Sequence, residues 1–194
     1  MLPLILMLAL TAAVLTPYAM MLVARHKAIK RIKSVALGSG FKVKSLHKGV
    51  FFARNRSSKY DLLFASRHKV YAVKLWSSVY PESSMVVCSP DSFYVGRRTA
   101  ELFEQEGRGS YNFRQSTKRV PKVRLGVKVR GNRELVSILL MCPGYKSISR
   151  RSGKSILVYE QGDIIFDKKL YYPQGFEALL LENLANGENL PASR

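Results

Sequence analysis

The sequence predicts an α+β domain with a mixed sheet, preceded by one N-terminal transmembrane helix. Residues 1–23 hold no charged side chain, and at ~1.5 Å rise per residue a helix of that length crosses a hydrocarbon core of ~30 Å. Strand-like and helix-like apolar patterns then alternate along the chain. A hydrophobic fraction of 47% is sufficient for a packed core. We therefore expect an anchor at 1–23, a basic juxtamembrane helix at 24–37, a cytoplasmic α+β domain at 38–184 and a flexible tail at 185–194.

The charges that follow the apolar run favour an uncleaved signal-anchor. They are Arg25, Lys27, Lys30, Arg31 and Lys33. A signal peptide has its positive charge before the apolar core, whereas here the charge comes after it. The positive-inside rule then predicts a single-pass membrane protein whose C-terminal domain is cytoplasmic. Cys88 and Cys142 lie in apolar contexts, which favours buried free thiols in a reducing compartment.

The remaining elements are predicted in chain order from periodicity and turn residues. Helical spacing continues through 28–36, and Gly38 and Gly40 are suited to end that helix. Short strands are expected at 41–45, 49–53, 60–65, 69–76, 85–88 and 93–95, then a helix at 97–106, a polar loop at 107–118, strands at 120–130 and 135–142, a hairpin at 153–166 turning at 160–163, a strand at 168–173 and a closing helix at 175–184. The strand at 135–142 is apolar throughout and is expected at the centre of the sheet.

The formal net charge of +19 is the main compositional clue to function. Residues 24–60 contain eleven Lys or Arg, and no acidic residue occurs before Asp61. Such an excess favours anionic partners, namely nucleic acid, an acidic protein or anionic lipid headgroups beside the bilayer that holds the anchor. Some of these cations would only set membrane orientation.

The segment KVRLGVKVR predicts a strand with one basic face. Its cations Lys122, Arg124, Lys128 and Arg130 share one parity, and its apolar residues share the other. Side chains alternate between faces along a strand, so the cations would project from one side. With Arg114, Lys118 and Arg119 nearby, we interpret this as an anion-binding face. An edge strand protected by lysine would show a similar alternation.

Several kinds of chemistry lack the residues they need. Three histidines and two distant cysteines give no zinc-type ligand spacing. Gly-x-Ser-x-Gly is missing. The SGKS stretch at 152–155 has Ile148 where a phosphate-binding loop requires glycine. We therefore expect no cofactor, and no motif indicates a small-molecule substrate.

The stretch YDLLFASRHKVYAVKLWS, residues 60–77, resembles the restriction-endonuclease-like PD-(D/E)XK fold. It looks most like the nuclease-related modules of some bacterial membrane proteins. In that family Asp and Glu bind a divalent metal, and a Lys steadies the attacking water or the developing charge. Asp61 matches the first acid and Lys74 the lysine, but Ala72 occupies the place of the second acid. Some members draw an acid from the following helix, where Glu101 and Glu104 lie.

The resemblance therefore implies a nuclease-like fold with a degenerate site, a pseudoenzyme. The first functional hypothesis is a membrane-anchored, non-catalytic module whose basic face binds an anionic partner, with nucleic acid the best guess. The second is a scaffold on anionic lipid that docks other proteins. The third is a metal-dependent nuclease, for which alone Mg²⁺ would be needed.

Overall fold

The computed structural model describes residues 2–46, 59–80, 82–96, 118–125, 128–129, 132–152 and 155–185. Within these ranges the chain forms two helices and eleven strands. They are α1 (Leu2–Gly38), β1 (Lys42–Ser45), β2 (Leu62–Ala65), β3 (Lys69–Trp76), β4 (Ser84–Ser89), β5 (Ser92–Gly96), β6 (Lys118–Arg119), β7 (Glu134–Met141), β8 (Ser147–Ser152), β9 (Ser155–Val158), β10 (Ile164–Ile165), β11 (Lys168–Tyr171) and α2 (Pro173–Ala185). The mixed α+β class is as predicted.

The described strands form two mixed sheets. The first has the order β1-β2-β3-β7-β11-β10, in which β7 runs parallel to both β3 and β11. The second has the order β6-β5-β4-β8-β9, with β4 parallel to β8. The apolar strand β7 lies in the interior of the first sheet, as its composition predicts.

Three apolar clusters hold these layers together. Both helices cover one face of the first sheet, where Ile29 and Ile32 of α1 and Phe176 of α2 meet Leu62 and Val73. The opposite face packs on the second sheet through a cluster that includes Trp76, Met85, Leu139 and Ile148. A third and smaller cluster, around Leu63, Val70 and Ala72, covers that same opposite face nearer to β2. The first sheet is therefore buried on both faces.

The predicted membrane anchor is wrong. Among the residues that the structure describes, no helix offers an apolar stretch long enough to cross a membrane. From Leu2 onward, the two predicted segments 1–23 and 24–37 form one helix, α1, which continues into the domain core and has Met21, Ile29 and Ile32 buried there. The signal-anchor, the single-pass membrane localisation and the transmembrane part of the predicted fold class are corrected accordingly. The cytoplasmic orientation was derived from the anchor, so it loses its basis.

The predicted hairpin at 153–166 is also wrong. Strand β9 pairs with β8 in the second sheet, whereas β10 pairs with β11 in the first. The turn itself is present, since the Asp163 amide donates to the Glu160 carbonyl at 3.3 Å and Gly162 has a φ of 95°. That turn leads the chain from one sheet to the other. The strand predicted at 49–53, the helix at 97–106 and the tail after 185 lie outside the described residues.

Candidate functional site

The two residues that carry the nuclease resemblance form a buried ion pair. Asp61 directly precedes β2 and Lys74 lies on β3, and the antiparallel register of these strands places them opposite each other. Lys74 Nζ lies 3.2 Å from Asp61 Oδ2, and both residues are 1% exposed. Asp61 Oδ2 also accepts a hydrogen bond from the Leu75 amide at 2.7 Å. Lys74 Nζ donates to the Lys59 carbonyl at 3.2 Å.

The position of the missing second acid is apolar. Ala72 is fully buried in the third cluster and pairs with Leu63 on one side and with Ser137 on the other. The Ser137 hydroxyl is engaged by Tyr60, whose phenol lies 2.9 Å away. This arrangement leaves a small hydrophobic side chain where the family would have a metal-binding carboxylate.

Arg25 joins this region from the helix layer. Its side chain is 1% exposed, and Nη1 donates to Ser77 Oγ at 2.5 Å. The Ser77 hydroxyl in turn donates to the Cys142 carbonyl, which ties α1 to the ends of β3 and β7. Burial lowers the pKa of Arg25, while the nearby Asp61 carboxylate opposes that shift. The prediction that Arg25 flanks a membrane is therefore wrong, because the side chain is inside the domain.

Lys168 is a further buried cation that the sequence reading did not single out. It is 9% exposed, and its Nζ donates to the Phe166 carbonyl at 2.8 Å. The register of β11 on β7 places Lys168 on the same sheet face as Lys74. Burial lowers the pKa of both lysines, and each pKa is lowered further by a neighbouring cation. The sequence signal for the burial of Lys168 was its parity with Leu170, a residue of the core, since residues two apart on a strand share one face.

We call Arg25, Asp61, Lys74 and Lys168 the polar cluster. It contains three cations and one carboxylate. A magnesium ion does not fit there, because Asp61 Oδ2 already serves Lys74 and the Leu75 amide, Ala72 offers no oxygen, and the neighbouring charges are positive. Among the described residues there is no group of three or more His, Cys, Asp or Glu placed to hold a metal. The geometry is that of a buried ion pair joining two strands.

The predicted basic residues lie on the outer side of the third cluster. Lys118, Arg119, Lys122, Arg124 and Lys128 are all exposed. The apolar residues that alternate with them, Val123, Leu125 and Val129, are half-buried and pack against the third cluster. We call residues 118–129 the basic segment. Burial thus follows the predicted parity, although regular strand structure in the described part is limited to β6 and to one bridge between Arg124 and Lys59.

Other predicted residues are spread over the molecule. Lys27, Lys30 and Arg31 lie on the exposed side of α1, and Arg31 forms an ion pair with Glu177 of α2 at 2.8 Å. Lys33 donates to Ser45 Oγ at 2.9 Å, and burial lowers its pKa. Arg114, Arg130, Glu101 and Glu104 lie outside the described residues.

Comparisons with family models, curated proteins and solved structures found no match to this chain.

Proposed function

We propose that this protein is a non-catalytic module that binds nucleic acid through the basic segment. The observation on which the proposal depends is the one-sided burial of that segment. Its five described cations face solvent while its apolar residues are fixed on the domain. Cations held in this way can contact successive phosphates without first ordering a free loop, so less conformational entropy is lost on binding.

The charge pattern supports a polyanion rather than a single small anion. No acidic residue interrupts residues 107–133, so the five cations along the basic segment act together. A polyphosphate backbone condenses counterions, and each phosphate that a Lys or Arg neutralises releases them into solution. That release makes a chain of phosphates a better partner than an isolated carboxylate.

The buried ion pair supports the non-catalytic half of the proposal. A phosphodiester cannot reach Asp61 or Lys74 in this arrangement, because both residues are 1% exposed. The order of α1, β1, Asp61 before β2 and Lys74 on β3 matches the first four steps of the chain order on which the resemblance to the nuclease fold rests. The helix that would complete that order, predicted at 97–106, lies outside the described residues. We infer a nuclease-like fold in which this pair stabilises the sheet.

The salt dependence of binding tests the proposal. We expect the full chain to bind DNA or RNA with an affinity that falls steeply with salt concentration. Replacing Lys122, Arg124 and Lys128 with Gln should flatten the log–log slope by about two to three, because each phosphate contact contributes ~0.7–0.9. The matched control replaces the exposed Lys27, Lys42 and Lys44, which lie outside the segment, and should change the slope by less than one.

Three results would contradict the proposal. Equal affinity of the parent and the basic-segment variant for every nucleic acid would leave the segment as a solvated edge. Slope flattening seen only with anionic vesicles would assign the surface to lipid headgroups. Cleavage of DNA or RNA with Mg²⁺ or Mn²⁺ that disappears in a folded Asp61→Asn variant would disprove the non-catalytic half.

A further inference from the structure

A second site lies in a cleft between the two sheets, beside the hairpin whose Phe166 carbonyl accepts a hydrogen bond from Lys168. The cleft is bordered by the end of β4, by Arg150 of β8, by Tyr159 and by the hairpin that joins β10 to β11. Its volume is about 340 Å³, near the lower end of the ~300–1,000 Å³ typical of small-ligand sites. That size suits one ring system rather than a large ligand.

The floor of the cleft is apolar and its rim is polar. Val87, Ile165 and Phe166 form the floor and belong to the core between the sheets. At the rim, the guanidinium carbon of Arg150 lies over the Tyr159 ring, 5.8 Å from the centroid. Tyr159 is half-buried and Arg150 is exposed.

These walls match the chemistry of a nucleobase. Unpaired bases stack on tyrosine rings and on guanidinium planes, and they need an apolar surface for the ring and polar groups for its edge. Asp167 supplies a carboxylate at the rim, where the Ser89 hydroxyl already donates to Asp91 Oδ1 at 2.8 Å. Ile164, which is 68% exposed beside them, offers apolar area that a bound ring would cover.

The turn between β4 and β5 connects this cleft to the basic segment. Ser89 and Pro90 line the cleft. On the same turn, the backbone carbonyl of Asp91 accepts a hydrogen bond from the Val120 amide at 2.6 Å, and Ser92 pairs with Arg119. One turn therefore has the cleft at one end and the start of the basic segment at the other.

We propose that the cleft receives an unpaired nucleobase of the strand whose phosphates contact the basic segment. This inference rests on the proposed function and makes it specific, since a base held in a duplex cannot enter. The protein then prefers single-stranded over double-stranded nucleic acid, with Tyr159 as the stacking residue and Arg150 as its cationic neighbour.

Replacing the Tyr159 ring with an apolar side chain that cannot stack tests the inference. With the full chain, we expect Tyr159→Leu to lower affinity for a single-stranded oligonucleotide about tenfold, as the loss of one base stack predicts. Affinity for a duplex and the salt slope should stay unchanged, because no phosphate contact is lost. Tyr159→Phe should keep single-strand affinity within about twofold, and Tyr80→Leu controls for loss of an exposed tyrosine elsewhere.

A fluorescent base reports the stack directly. An oligonucleotide that contains 2-aminopurine should be quenched by the parent protein and by Tyr159→Phe, and less so by Tyr159→Leu and Arg150→Gln. A free nucleoside monophosphate distinguishes the two sources of a base. The inference is supported if the oligonucleotide binds in a Tyr159-dependent way and the mononucleotide binds more weakly. It is overturned if the mononucleotide binds more tightly and its binding does not depend on the basic segment.

The failure of this inference is distinguishable from failure of the proposed function. If Tyr159→Leu and Arg150→Gln leave salt-dependent binding of both single-stranded and duplex nucleic acid unchanged, only the base cleft is disproved. Absence of salt-dependent binding in the parent protein disproves both. Thermal melting of each variant confirms that a lost signal is not a lost fold.

Discussion

Lys74 and Lys122 are the same residue type in one strongly basic chain, but their surroundings differ completely. Lys74 is 1% exposed, contacts Asp61 and a backbone carbonyl, and has a pKa lowered by burial. Lys122 lies open to solvent beside residues that pack on the domain. The buried lysine has partners within the protein, whereas the exposed lysine is available to a partner outside it.

The difference shows that the net charge of +19 is not one functional quantity. Removing a cation from water is costly, so each buried cation needs hydrogen bonds or a counter-charge within the domain. Arg25, Lys74 and Lys168 meet that need through Ser77, Asp61 and the Phe166 carbonyl, respectively. These three contribute to the fold, whereas the cations of the basic segment face solvent.

The largest effect is expected from Asp61→Ala. This change leaves Lys74 buried without its counter-charge and the Leu75 amide without its acceptor. Loss of one partner from a buried pair costs ~3–5 kcal/mol, which should appear in the free energy of unfolding measured with urea at pH 7. A cost below about 1 kcal/mol would show that the pair does not stabilise the sheet.

Two controls sharpen that prediction. The double variant Asp61→Ala with Lys74→Met should recover part of the loss, because no unpaired charge remains. The pKa of Lys74 should fall further in Asp61→Ala, so its folded state binds fewer protons than its unfolded state. Its stability deficit should therefore shrink as pH rises toward the ordinary lysine pKa of 10.5.

A smaller effect is expected from the buried thiol at alkaline pH. Burial raises the pKa of Cys142 from 9.0 to about 11. The folded state then keeps its proton where the unfolded state loses it, so this stabilisation is full below pH 9 and is lost between pH 9 and 11. The loss should be about 2–3 kcal/mol.

Cys142→Ala isolates the effect of the thiol from the opposite trend of the lysines. From pH 8 to pH 11, the free energy of unfolding of the parent should fall relative to that of Cys142→Ala by this same amount. A difference that stays constant over this range would show that the thiol titrates alike in both states. Cys88 is exposed, so Cys88→Ala is the matched control for removing a thiol that is not buried.

The smallest effect is expected in the basic segment. Replacing Lys122, Arg124 and Lys128 with Gln should change the free energy of unfolding by less than about 0.5 kcal/mol, because these side chains are exposed. Leu125→Ala in the same segment should cost about 1–2 kcal/mol, since Leu125 packs on the third cluster. If the Gln variant lost more unfolding free energy than Leu125→Ala, the exposed cations rather than the packed apolar residues would stabilise the segment, contrary to this prediction.

Local patterns predicted those elements whose signals are local. Strand β3 has the predicted bounds of 69–76, and α1 ends at Gly38, with Gly40 at a φ of 78° just beyond. The hairpin at 153–166 failed because the turn at 160–163 fixes only a change of direction. Which sheet a strand joins is set by distant partners, here β8 for β9 and β11 for β10.

In the candidate site, too, local signals could be predicted from the sequence, whereas contacts between distant residues could not. Asp61 and Lys74 were found because they lie on neighbouring strands of one motif. Arg25 was predicted at a membrane flank because nothing near it in sequence reveals Ser77, its hydrogen-bond acceptor 52 positions later. The aromatic cleft escaped notice for a similar reason, since Arg150, Tyr159 and Phe166 converge only when both sheets are assembled.

The length of α1 has a mechanical consequence. The helix spans 37 residues without interruption, and its described side chains before Met21 are exposed or half-buried. Its first nineteen residues, which include Pro17, therefore form a helical arm roughly 28 Å long, fixed to the domain where Arg25 enters the interior. A helix advances ~1.5 Å and turns ~100° per residue. Inserting one residue between the arm and Met21 would thus rotate the arm by about a quarter turn relative to the basic segment, whereas inserting seven would lengthen it and nearly restore its original phase.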